Sequence, residues 1–293
     1  MITGLLCVAG AAALLGIMPT MQKQLLMNGL SIYSLLFFTN LTTNIVCLLL
    51  INLKKRSLKI RKGQLLQCVL MGIFGQLLTG VLLNSSYLFL PVGTTMMLNF
   101  LYPSIVCIIM GTLFKEGFTR LQFAAIGVSV LGMVFLTGAG GAMPVIGVVL
   151  AVASAFTYSG YLIANEKGPA NELPIEVKLL YITIPGSLIY FLLSVTTNTF
   201  TIPQGAPEWV MLIVGSGLFS AGGFFLMLYG VSRLGASTAS FVSMLEPVIS
   251  VVFATVWFRD PVTVGITVGG ILVIMSILLI TVDGQRKSSL SVV

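Results

Sequence analysis

The sequence predicts an all-α integral membrane protein of ten transmembrane helices, arranged as two inverted five-helix repeats. Three observations carry that prediction. The 293 residues are 57% hydrophobic and 8% charged, with a mean hydropathy of +1.08. Soluble domains carry roughly 25% charged residues, so there is too little polar surface here to cover a water-soluble globule. Ten apolar stretches approach the length of about 20 residues that crosses a hydrocarbon core. The second half of the chain also repeats landmarks of the first at a nearly constant spacing.

Taken in order, the first stretch is Ile2–Met21; its AGAAA run suggests a signal peptide, but it has no basic leader and has a counterpart later in the chain, so it reads as a retained helix. Leu30–Leu53 follows and stops at the basic run KKRSLKIRKG. Leu65–Phe89 carries Gly72, Gly75 and Gly80, small surfaces for close helix packing, with Gln76 and Asn84 as polar lining candidates. Val92–Phe114 holds Pro103 near its middle, and Leu121–Thr137 closes the first repeat. Pro144–Ala164 brings Thr157, Tyr158 and Tyr161, and Val177–Val195 ends in the uncharged-to-acidic loop NTFTIPQGAPE. Trp209–Ser232 contains Gly215, Gly217, Gly222 and Gly223 with Tyr229; Ala236–Phe258 contains Ser243, Glu246 and Pro247; Val262–Val282 is the last. Continuous apolar runs with internal glycine and no alternation are helices rather than barrel strands.

A shift of 143 residues matches Gly4 with Gly147, Asn28 with Asn171, Gly72 with Gly215 and Gly80 with Gly223; a shift of 144 then matches Thr94 with Thr238, Pro103 with Pro247 and Phe114 with Phe258. The expected units are residues 1–140 and 141–293. Because five is odd, the second unit enters the membrane inverted. Charge agrees: six basic residues follow the second span, and none follows the seventh. With both termini in the cytoplasm, thirteen of the fifteen Lys and Arg lie inside, leaving only Lys23 and Arg259 outside. Inverted repeats are characteristic of secondary transporters, whose halves exchange conformations and open a central site to each side in turn.

The same charges exclude other classes. A net charge of +7 is spread over inter-helix gaps rather than along one face, which points to the membrane surface and not to nucleic acid. There is no His, and the four cysteines sit singly in apolar runs, so neither a metal site nor a disulfide framework is expected; the cysteines read as small packing residues. No GxxxxGK[ST], HExxH or GxSxG motif is present, so neither ATP-driven transport by this chain nor a membrane-embedded enzyme is expected, and no cofactor is implied.

The segments SYLFLPVGTTMMLNFLYPSIVCIIMGTLFKEG, ASAFTYSGYLIANEKG and YGVSRLGASTASFVSMLEPVISVVFATVWFRDPVTVGITVGGILVI resemble the EamA-like repeats of the drug/metabolite transporter superfamily. In that family each repeat has a Pro within its fourth helix and an acidic residue closing it, positions occupied here by Pro103 and Glu116, and by Pro247 and Asp260, an Asp where Glu is usual. The resemblance covers nearly the whole chain. It implies a ten-helix fold around a central cavity and transport of small organic metabolites, often outward, across the cell membrane.

Glu246 stands near the centre of the ninth span. A charged side chain at that depth costs roughly 2.5–3.5 kcal/mol on insertion scales, so it needs a polar cavity or a partner. It is either a coupling group for protons or cations, or the partner of a substrate amine, or else a protonated carboxyl that holds the Pro247 kink. Thr95, Asn99 and Tyr102, at i, i+4 and i+7, share a face of the fourth helix, and Ser243 and Glu246 take the equivalents of Asn99 and Tyr102. Tyr158 and Tyr161 are further lining candidates. Pro103 and Pro247 each remove a backbone hydrogen bond and are candidate kinks for gating. Lys23 reads as a snorkelling interfacial lysine, with gating as the alternative. No Lys or Arg lies deep in a span, which disfavours phosphorylated substrates. Neutral, zwitterionic or cationic metabolites, amino acids among them, are the expected cargo, with a channel-like facilitator as the alternative.

Overall fold

A computed structural model describes residues 2–112, 119–138, 143–166, 168–234, 245–259, 263–265, 267–272, 274–276 and 278–279. Ser243, Glu116 and Asp260 lie outside the described residues, as does the side chain of Pro103. The described chain is helical: α1 (Ile2–Met27), α2 (Ile32–Leu53), α3 (Lys62–Ser86), α4 (Val92–Asn99 and Tyr102–Thr112), α5 (Arg120–Gly138), α6 (Val145–Glu166), α7 (Ile175–Thr196), α8 (Ala206–Val210, Met211–Leu218 and Phe219–Leu234), α9 (Leu245–Phe258) and α10 (Thr267–Ser276). Five of these, α1, α2, α3, α7 and α8, are long and apolar enough to cross a membrane by length and composition, and shorter apolar helices fall in α4, α5, α6, α9 and α10. Large apolar side chains such as Leu66, Phe74, Phe123, Leu192 and Val256 stand exposed on the outside of the bundle. In water such a surface is costly; against lipid it is what the surroundings require.

Local chemistry sets the helix ends. Gly29, at φ 94°, ends α1, with Gly29 and Leu30 N–H bonded back to the Leu26 and Leu25 carbonyls. Ser31 then caps α2 by accepting from Ser34 N–H at 3.1 Å. α2 and α7 begin and end 143 residues apart, at Ile32 and Ile175 and at Leu53 and Thr196. Their terminations are copies too. Lys55 and Asn198, 143 residues apart, take the left-handed conformation at φ 50° and 52°, and the N–H groups of Arg56 and Thr199 bond the Ile51 and Ser194 carbonyls, the reverse-turn pattern that closes a helix.

Packing obeys the same twofold relation. Equivalent helices α2 and α7 pack against each other, and they run antiparallel: Phe37 lies 5.3 Å from Phe191, the Asn40 amide lies against Gly186, and Cys47 packs beside Leu179 and Leu180. Antiparallel equivalents are what inversion demands. α1 packs on α8 and α9 as α6 packs on α3 and α4, and α2 meets the wide turn of α8 as α7 meets that of α3. Those wide turns, Met71–Leu77 and Met211–Leu218, are π-helical. Such bulges are uncommon and cluster at functional elements.

The fourth helix departs from expectation. A continuous helix kinked at Pro103 is predicted, but α4 is broken at Phe100–Leu101 and restarts at Tyr102. Proline cannot donate to the Asn99 carbonyl and clashes with it; starting a new helix puts Pro103 in a first turn, where the missing N–H is not needed. The break falls near the middle of the helix.

The largest core cluster gathers Leu25, Leu26, Leu30, Tyr87, Leu90, Val92, Met96, Phe100 and Ala254, sealing the end of the bundle where α1 meets α2 and α3 meets α4. At the other end the packing is divided among smaller clusters. There the basic run is put to structural use, because Lys54 and Arg56 both reach buried Glu176 at the start of α7, at 3.5 and 3.6 Å. Both cations are half in water, so each pair is worth at most about 1 kcal/mol and serves mainly to tie the two repeats in register.

Candidate functional site

Tyr102 restarts α4 at the break, and this is where the aromatic side chains converge. The Tyr102 ring stands edge-on to Tyr158 of α6 at 4.9 Å, Tyr158 stacks on Tyr161 at 5.9 Å, and Phe100 flanks Tyr102 at 5.5 Å. Glu246, in the first described turn of α9, sits near enough for its charge to act on the hydroxyls of Tyr87, Tyr102 and Tyr158. Its residue is partly exposed, and its carboxyl takes no hydrogen bond or ion pair from any described residue. A membrane carboxyl without a fixed partner is open to a proton, a cation or a substrate amine. The arrangement joins α4 and α6 to α9 and so spans both repeats. A discontinuous helix meeting the equivalent helix of the other repeat is the usual construction of a transporter site.

Close approach of the backbones makes this possible. Gly16 of α1 lies against Glu246 and Ile249; a methyl there would come 2.8 Å from the Glu246 carbonyl oxygen. Gly93 of α4 faces Val251, where a methyl would meet the side chain at 2.9 Å. Pro247 is buried just beyond Glu246.

Two polar residues predicted to share the site are committed elsewhere. Asn99 donates to Ser154 of α6 at 2.9 Å, and Thr95 lies 3.2 Å from Ser86, whose hydroxyl in turn donates to the Gly147 carbonyl of α6. The face carrying Thr95, Asn99 and Tyr102 therefore bonds to the end of α3 and to α6, while the half of α4 from Val92 to Asn99 also packs against α9. Thr157 bonds Thr79 at 2.6 Å, and Tyr229 is exposed beneath the Arg233 guanidinium, away from the centre. Gln76 and Asn84 each bury a carbonyl oxygen that has no hydrogen-bond donor among the described residues. Tyr87 is the residue that sequence reasoning misses: at the end of a span it looks like an interfacial anchor, yet it is fully buried, with its hydroxyl 3.3 Å from the Met96 sulfur.

Lys23, expected at the membrane interface, is held by neighbouring helices. Its ammonium donates to the Leu90 carbonyl at 3.0 Å and lies 5.3 Å from the centre of the Phe258 ring, so it links α1 to both repeats at the sealed end. Trp257 adds a bond from its indole to Gln24 at 3.0 Å. On the lipid side, a groove of about 680 Å³ runs between α3 and α6, lined by Leu66, Leu70, Phe74, Leu78 and Tyr161. Tyr161 therefore belongs both to this groove and to the aromatic row.

Comparison with known proteins gives a consistent picture. The sequence profile described as "EamA-like transporter family" matches the chain twice, over residues 2–138 and 145–282. The chain is 28% identical to Uncharacterized transporter sll1319 of Synechocystis over 218 residues, 71% of this chain and 64% of that protein. It is 23% identical to Uncharacterized transporter YvbV of Bacillus subtilis over 168 residues, 57% of this chain and 55% of that protein. The matches thus span less than two thirds of those relatives' own length. A solved structure described as "Crystal structure of protein" aligns with a TM-score of 0.65 over 94% of this chain and 98% of its own, at 17% identity, a likeness of fold alone.

Proposed function

We propose, because this chain belongs to the EamA-like transporter family, that it is a secondary transporter of small neutral, zwitterionic or cationic metabolites, amino acids foremost. It works by alternating access between the repeats 1–140 and 141–293, in the outward direction, with both termini in the cytoplasm of the cell. The observation that carries this reading is the partly exposed carboxyl of Glu246, without a hydrogen-bond or ion-pair partner among the described residues, within electrostatic range of Tyr102 in the other repeat and Tyr158 in its own.

That site suits a particular chemistry. A carboxylate attracts an ammonium group, and the faces of Tyr102 and Tyr158 supply the negative side of a ring quadrupole, worth about 0.5–2 kcal/mol toward a desolvated cation. No Lys or Arg stands near the middle of a span to receive a phosphate. When the substrate is absent, a proton takes its place on Glu246, which makes exchange of substrate for proton the natural coupling.

The protein reconstituted in liposomes and loaded with unlabelled compound is expected to show saturable counterflow of a labelled amino acid or amine, and none of a sugar phosphate. A channel-like facilitator would give flux that neither saturates nor exchanges. Counterflow of the sugar phosphate would remove the argument from charge.

A further inference from the structure

A buried polar stripe runs between α2 and α7, away from the aromatic site. Asn44 donates through its amide nitrogen to Ser187 at 2.9 Å and accepts from the hydroxyl of Thr183. Asn40, one turn earlier, is also buried, and its amide nitrogen has no hydrogen-bond partner among the described residues. A buried amide left unbonded is costly, about 1–3 kcal/mol, and wants an explanation.

The repeat supplies one. At the spacing of 143 residues that relates α2 to α7, Asn40 is the equivalent of Thr183 and Asn44 of Ser187. The Asn44–Ser187 bond therefore joins a residue to its own equivalent and lies beside the twofold axis. The Thr183–Asn44 bond has a counterpart under the same operation, Asn40 to Ser187, and that counterpart is unmade. Asn40 is nevertheless beside its target: its amide nitrogen would lie 3.0 Å from a methyl placed on Gly186, the residue before Ser187. Gly186 leaves the space through which the amide would move.

When the halves of an inverted-repeat transporter exchange conformations, each contact becomes its counterpart. We propose that Asn40, Asn44, Thr183 and Ser187 form a latch that exchanges one hydrogen bond in each cycle: Thr183 to Asn44 in the state seen here, and Asn40 to Ser187 in the state open to the other side. Asn44–Ser187 persists in both states as the pivot. Thr183 is not stranded on release, since its hydroxyl already lies 2.8 Å from the Leu179 carbonyl. The latch rests on the alternating-access reading above and adds to it the residues that balance its two states.

The test measures populations. Nitroxides at Leu88 and Val256, exposed positions in the two repeats at the sealed end, are placed on a chain whose native cysteines are alanine, and the distance distribution of the substrate-free protein is recorded. Thr183→Val removes the bond of the present state and is expected to raise the population of the other state roughly fivefold, the effect of one buried hydrogen bond. Asn40→Leu, with Asn40→Ala as a second variant of the same position, is expected to lower that population by a similar factor. The double variant Asn40→Leu/Thr183→Val should return to the wild-type balance. Opposite shifts that cancel are not produced by general destabilisation. Shifts in the same direction, or shifts below twofold in a protein that still shows counterflow, would overturn the latch alone. A single distance under every condition, with and without substrate, would overturn the rocking of the halves and the latch with it.

Discussion

Glu246→Gln is expected to abolish uptake driven by a pH gradient while leaving measurable counterflow exchange. The amide has nearly the volume of the carboxyl and remains neutral, so the helices around it keep their packing, but it cannot take up and release a proton. For a carrier that exchanges one proton per substrate, each pH unit supplies about 1.4 kcal/mol, a tenfold accumulation ratio. The wild type should approach that ratio, and Glu246→Gln should equilibrate its substrate without concentrating it. Because the carboxyl has no bonded partner among the described residues, its loss leaves no neighbour stranded, and melting in detergent should shift little. If instead Glu246 only holds the bend at Pro247 as a neutral donor, Gln would preserve both activities. Wild-type accumulation in Glu246→Gln would therefore reject the coupling role.

Gly72→Ala is expected to be the most damaging single methyl in the first repeat. A methyl there runs into the backbone carbonyl of Ile182 on α7, which cannot rotate away as a side chain can. The helices must part, and overpacking of this kind costs typically about 1–3 kcal/mol, a large share of the stability of an ordinary domain. Gly160→Ala on α6 is the control, since nothing lies within 4 Å of a methyl there; the gain in helix propensity should leave it neutral or slightly more stable. Thermal unfolding of both variants in the same detergent would show the contrast. Equal melting temperatures would mean that α3 and α7 are not in contact at Gly72.

Much of this architecture is legible in the sequence because lipid simplifies the problem. Hydrophobic length places the helices, and the spacing of 143 residues that aligns Gly72 with Gly215 also relates the ends of α2 and α7. Glu246 stands out because an acid in a span demands a reason. The break in α4 is harder to read. A proline within an apolar run either bends a helix or restarts it, and the outcome depends on what can satisfy the freed carbonyls, which is a matter of neighbours. Neighbours also decide Thr95 and Asn99. Helical periodicity correctly puts them on the face of Tyr102, but it does not say that the end of α3 would offer Ser86 to Thr95 and that α6 would offer Ser154 to Asn99. The α2–α7 stripe escapes notice for another reason: Asn40, Asn44, Thr183 and Ser187 are scattered small polar residues until the pairing across the twofold brings them together.

In the proposed cycle the space beside Tyr102 and Glu246 opens to one side of the membrane at a time. Labelling with a membrane-impermeant thiol reagent tests it most directly, using Phe100→Cys, whose ring position adjoins Tyr102, on a chain with its native cysteines replaced by alanine. In vesicles of each orientation, the introduced thiol should react slowly from either side, and a transported substrate should slow both reactions. Reaction from one side only, unaffected by any substrate that shows counterflow, would contradict the account.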